Sequence, residues 1–204
     1  MEAPEGSRIS LPISAKTARK VGYYRSAQGV GVLGPRGWYC FGTYGSGGDA
    51  LFLSPQPINT GNILSTSQSG FSGPGIQISH RFGDTSGRFD VAEIIARIFP
   101  AYKAFVTAVM GESDQLATLF TFSPYPGDTL TYKSDAVVEY KTTAQTEGLG
   151  THSWLKKNSS PIDGVAILAG PTPDLLLLSL RLPDELTELT SAIVLQVERD
   201  ATKF

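Results

Sequence analysis

The sequence predicts an α+β fold: an antiparallel β-sheet carrying one long, proline-kinked central helix and a C-terminal amphipathic helix. Three observations carry that prediction. Short apolar runs broken by Gly- and Pro-rich turns occupy both halves of the chain, as antiparallel meanders require. Between them Val91, Ile94, Ile95 and Ile98 recur at helical spacing, and Tyr102, Phe105, Val106 and Val109 continue the stripe in phase. A further stripe, Leu186, Leu189, Ile193 and Val197, follows Pro183 near the end of the chain.

Taken in order, residues 1–20 read as a partly mobile arm and 21–204 as a single domain. Runs 30–33 and 38–43 flank Gly34-Pro35-Arg36-Gly37. Proline pre-sets the first turn angle there and glycine relieves the last, so the two runs are expected to pair. A second glycine turn at 44–49 leads into a short strand at 50–53. Both alternating faces of Trp38-Tyr39-Cys40-Phe41 are apolar, which predicts a strand covered on both sides. Residues 54–88 are irregular apart from a strand at 75–80. Asp90 and Glu93 have capping-box spacing, so the long helix is expected to start there. It should kink at Pro100, which removes one backbone bond, and stop at Gly111. Further strands are expected at 119–123, 130–133, 136–142, 165–169 and 175–182. In the last of these Leu176, Leu178, Leu180 and Leu182 share one face, while Ser179 and Arg181 share the other. That is the alternation of a half-buried strand.

Composition narrows the function classes. A chain of 204 residues buries a core without staples. Its single cysteine excludes an internal disulfide or a multi-cysteine zinc site. A net charge of -2 and a pI near 5.7 argue against nucleic-acid binding, and the basic excess before residue 40 reads as a solvated arm. No segment reaches the roughly 18 consecutive apolar residues of a membrane span. The N-terminus lacks the apolar segment of a signal peptide, and Met1 before Glu-Ala-Pro-Glu-Gly fits a start codon placed on a processed chain. Together with the Gly/Ser/Thr/Tyr-rich composition, this leans toward a periplasmic or secreted protein.

Several motifs dissolve in context. Gly29-Val30-Gly31-Val32-Leu33-Gly34 matches the dinucleotide fingerprint, but no helix follows to receive a pyrophosphate. Ser153-Trp154-Leu155-Lys156 matches the serine-acylase motif without its companion motifs, and reads as a loop. Asn158-Ser159-Ser160 is a sequon with meaning only in a eukaryotic secretory pathway. Two histidines and one cysteine far apart argue against a zinc site, and no clustered Asp/Asn loop suits calcium.

Two constellations remain. From Gly37 to His80 Asp49 is the one charged side chain, among aromatics that include Trp38. Its far end opens into the polar run 80–90, where Arg81, Arg88 and the free N–H groups of the helix could hold a carboxylate or phosphate. The plainer reading is a capped entry loop whose charges pair internally, Arg88 with Asp84 for example. The second constellation is a thiol nucleophile at Cys40, with His80 or His152 as base and Asp49 or Asp84 orienting it. Here the plainer reading is a buried, inert cysteine.

Three stretches, Gly37-Trp38-Tyr39-Cys40-Phe41-Gly42-Thr43-Tyr44-Gly45-Ser46-Gly47-Gly48, residues 85–100 and residues 132–151, resemble segments of a family of exported bacterial proteins with no assigned activity. The resemblance implies export and supplies no catalytic residue. The expectation is a non-catalytic envelope or periplasmic module that binds a small ligand or a protein partner, without cofactor or metal. Its expected binding residues are Trp38, Asp49, His80, Arg81 and Arg88. The alternatives are a cysteine-dependent hydrolase or transferase, and an immunity-type protein that blocks a partner through flat aromatic surface.

Overall fold

The computed structural model describes residues 13–26, 29–58, 70–112, 120, 122, 125–150 and 152–202. Ser14 Oγ accepts the Thr17 N–H and caps a short helix, α1 (Ala15–Lys20). Residues 1–12 of the expected arm lie outside the described residues. Helix α1 itself is held by the Lys20 ammonium against Glu188. It runs into β1 (Val21–Arg25), which pairs antiparallel with β2 (Gly31–Pro35).

Strand β2 therefore turns back onto β1, and the expected pairing of 30–33 with 38–43 does not form. Tyr24 supplies the reason. Its hydroxyl donates to the Pro35 carbonyl at 2.7 Å and accepts from the Trp38 N–H at 3.1 Å. Gly34-Pro35-Arg36-Gly37 is thereby fastened over the hairpin and delivers the chain to a second sheet.

That sheet has seven strands: β3 (Tyr39–Gly45), β4 (Gly48–Ser54), β5 (Gly75–Arg81), β6 (Thr129–Ser134), β7 (Val137–Lys141), β8 (Asp163–Ala169) and β9 (Asp174–Arg181). Their order is β3-β4-β5-β9-β8-β7-β6, with every pairing antiparallel. Two meanders, β3-β4-β5 and β6-β7-β8-β9, thus meet along a β5–β9 seam running from Gly75–Arg181 to Arg81–Leu175. The β3–β4 turn needs glycine: at Gly48 φ is +138° and a Cβ would lie 2.0 Å from the His80 carbonyl oxygen. The strand expected at 119–123 falls mostly outside the described residues; Phe120 and Phe122 pack against the core as non-strand residues.

Between the meanders the helical stripe bends at the proline, as its spacing predicts. Helix α2 (Arg88–Ile98) ends at Phe99, residues Pro100–Tyr102 form a 3₁₀ turn, and α3 (Lys103–Met110) continues. Helix α2 begins before Asp90, not at it. Thr85 and Gly87 carbonyls take the Arg88 and Val91 N–H groups, each at 3.1 Å, while Asp90 inside the first turn is engaged by Arg81. At the other end of the chain a 3₁₀ turn (Asp184–Leu189) leads into α4 (Thr190–Ala201).

The sheet is covered on both faces. On one, Leu51, Leu53, Ile76, Ile78, Leu176 and Leu178 meet the β1–β2 hairpin and Ile193, Val194 and Val197 of α4. On the other, Val138, Ala166, Leu168, Leu175 and Leu177 meet α2 and α3 through Val91, Ile94, Ile98 and Val106. Full burial of each such Leu or Ile contributes about 1.5–3 kcal/mol. Strand β9 lies mid-sheet and is buried from Leu175 to Arg181, so the half-buried reading is corrected: its second face feeds the α2 side. The doubly covered reading of 38–41 reverses too. Strand β3 is the outer edge, with Tyr39, Cys40 and Tyr44 exposed.

Candidate functional site

Strand alternation pulls the predicted site apart. His80 and Arg81 are neighbours on β5 and therefore face opposite sides of the sheet. His80 lies between two carboxylates of the adjoining strands, 3.8 Å from Asp49 and 3.9 Å from Asp174, with its ring edge-on to Phe82. Burial pushes the Asp49 carboxyl up, against the pull of the His80 imidazole. On the opposite side Arg81 Nε and His152 Nδ1 both reach Asp90 Oδ2 at 3.1 Å. The hydrogen bond to Asp90 raises the His152 imidazole above its ordinary value. Gln77 positions the His152 loop by donating to the His152 carbonyl and accepting the Trp154 N–H.

Neither arginine of the expected anion site is available to an anion. Arg81 holds Asp90. Arg88 grips Glu112 with Nε at 2.8 Å and Nη2 at 2.7 Å, bonds the Thr85 carbonyl, and stacks over Phe89. The internal pairing thus uses Glu112; Asp84 is exposed in the turn before α2. Trp38 packs into the hairpin-side core at the opposite end of β3 from His80.

Cys40 meets neither candidate base. It pairs with Leu53, whereas His80 lies level with Asp49 and Tyr44. That separates thiol and imidazole by about 13 Å along the strands and about 10 Å across them. His152 sits with Asp90 beyond the other face of the sheet. Catalytic hydrogen bonding needs about 3 Å. The sulfur is also exposed, contrary to its expected burial.

The structure presents a different hollow. Beyond β8 the sheet projects past α4, leaving a groove of about 500 Å³ between that helix and strands β6, β7 and β8. Register puts Thr129, Lys141 and Asp163 in one cross-strand row, with Thr131 and Glu139 in the next. Lys133 pairs with Glu139 at 2.9 Å and Lys141 with Asp163 at 3.2 Å. Helix α4 closes the groove with Thr190, Ser191, Val194, Leu195 and Glu198. Glu198 Oε1 is buried without a hydrogen-bond partner. Burial raises its carboxyl above the ordinary value, and the adjacent Glu139 carboxylate adds to the rise while Lys133 opposes it. Beneath the floor Tyr140 lies over Gly164, where a Cβ would come within 2.7 Å of the ring, and its hydroxyl donates to the Leu178 carbonyl.

Sequence reasoning missed this groove because three strands and a helix build it together, and their register and packing leave no motif along the chain. One signal was legible: β6 and β7 alternate polar with apolar, and their polar side faces the same way as α4. Among the described residues no group of His, Cys, Asp and Glu is disposed to hold a metal ion, and no helix is long and apolar enough to cross a membrane. No family model matches the chain, and neither a curated protein nor a solved structure matches it.

Proposed function

We propose that the protein is a non-catalytic, exported module that binds a small, polyhydroxylated or zwitterionic ligand in the groove between α4 and strands β6, β7 and β8. The groove carries this reading. Its volume falls within the roughly 300–1,000 Å³ of small-ligand sites. Hydroxyls of Thr129, Thr131, Thr190 and Ser191 alternate with carboxylates and ammonium groups, so every side of a ligand meets both donors and acceptors. A strongly anionic ligand would meet Glu139, Asp163 and Glu198, and an apolar one would leave paired charges desolvated. The separation of Cys40 from both imidazoles supports a binding role over thiol catalysis. Export rests on composition and on the resembling segments, and fractionation of the producing cell tests it.

The experiment is a thermal-shift panel of neutral sugars, sugar acids, amino acids and inorganic phosphate on the wild type, Glu139→Gln and Asp163→Asn. A neutral sugar or an amino acid should raise the wild-type melting temperature and lose that effect in both variants. Stabilisation by phosphate alone, or equal shifts in all three proteins, would refute the groove as the site.

A further inference from the structure

We propose that β3 is a docking edge for a second copy of this chain, joining two sheets through an antiparallel β3–β3 pair. The proposal is independent of the ligand groove, which lies at the other end of the sheet. An unpaired edge strand is a template for another strand, and proteins usually guard such edges with charge, proline or a bulge. The two edges of this sheet are treated differently. Strand β6 carries Lys133 and a register irregularity between Tyr132 and Ser134. Strand β3 pairs in unbroken register from Tyr39–Ser54 to Gly45–Gly48, and holds neither proline nor charge. It is also exposed: Tyr44 retains 77% of its surface and Tyr39 retains 50%.

Charge identifies the partner. A two-fold pairing sets the strand against itself, so any charge near the axis would meet its own copy. Residues 37–48 contain no Asp, Glu, Lys or Arg, which satisfies that condition along the whole edge. A charged peptide would find nothing there to pair with.

Backbone geometry then sets the register. The two-residue turn at Ser46-Gly47 makes Gly45 and Gly48 a hydrogen-bonded pair, so alternation points the N–H and C=O groups of Tyr44, Gly42 and Cys40 outward. No described group outside β4 bonds the backbone of β3. A two-fold axis at Gly42 pairs Gly42 with its copy and Cys40 with Tyr44 of the other chain, which uses all three outward residues. Each Tyr44 ring then lies beside the other chain's Cys40, a sulfur–aromatic contact. One strand pair buries less than the roughly 1,200 Å² of a stable interface, so the dimer is concentration-dependent.

The test measures mass by light scattering from low to high micromolar protein, for the wild type and Tyr44→Lys. Tyr44 is exposed enough that the variant should keep the wild-type circular dichroism. The wild type should approach dimer mass while Tyr44→Lys stays monomeric. Register is read by oxidation: Tyr44→Cys should form a covalent dimer, whereas Cys40→Ser/Tyr44→Cys should not. Paired backbones in this arrangement lie about 5.5 Å apart, within disulfide reach. A monomeric wild type at every concentration, a dimer indifferent to Tyr44→Lys, or cross-linking without Cys40 would overturn the proposal.

Discussion

At Glu198 burial and the Glu139 carboxylate both oppose ionisation, and the consequence is a pH dependence of stability with a definite sign. The folded chain holds this proton more tightly than the unfolded one. The group therefore favours folding at and below its ordinary value of 4.5, and that contribution is lost as pH rises through the raised folded value. Glu198→Gln keeps the shape without the charge. It should melt at or above the wild-type temperature near neutral pH, and lose less stability on titration across that window. Melting curves at a series of pH values decide this, and a variant that melts lower at neutral pH with an unchanged slope would contradict it. His152 acts in the same sense: Asp90 raises its imidazole, so its stabilisation is present below 6.5 and disappears above the raised value. That ring is mostly exposed, so screening keeps its share small.

Among the elements, the turn before β6 is fixed to α2 by one ion pair. Arg97 donates to both oxygens of Asp128, Nε to Oδ2 at 2.9 Å and Nη2 to Oδ1 at 3.0 Å, bonds the Gly148 carbonyl and lies over the Tyr125 ring. Asp128 is 6% exposed and Arg97 12%. Asp128→Ala strands a cation in that environment and should cost about 3–5 kcal/mol in a urea titration. A loss below about 1 kcal/mol would mean that the pair behaves as a surface contact. None of this was legible in the sequence, because ion pairs across long loops leave no periodic trace. Periodicity did expose the central helix and its bend at Pro100, since Val91 through Val109 keep one phase across the break. Pairing was less legible. The turn chemistry of 34–37 suits a hairpin with 38–43 as well as a closure over β1, and the Tyr24 hydroxyl decided between them. Gln196 shows a related limit. It reads as one more polar helix residue, yet it is wholly buried, accepting the Leu33 N–H at 2.7 Å and donating to the Gly31 carbonyl. Its amide stands where a neighbouring strand would lie beside β2.

For the whole molecule, apolarity on two faces proved ambiguous in one strand and informative in another. Trp38-Tyr39-Cys40-Phe41 has the composition of an interior strand, yet Tyr39 to Phe41 form the rim, because among the described residues no strand pairs with β3 on the side away from β4. Leu175 to Leu178 is apolar without interruption and lies in the middle, between two covering layers. The contrast predicts a hydrogen-exchange order. In dilute protein the outward amides of Cys40, Gly42 and Tyr44 should exchange first, and those of β5 and β9 last, near the global unfolding limit. Faster exchange in β9 than in β6 would contradict the placement of the core. The β5–β9 seam also bears on how the chain is made. Strand β5 emerges from the ribosome with one edge bare, and its partner follows only after α2, α3, β6, β7 and β8 have been synthesised. Until then the first meander is a half-sheet with a bare edge, so the slow step of folding should be the late arrival of one leucine-rich strand.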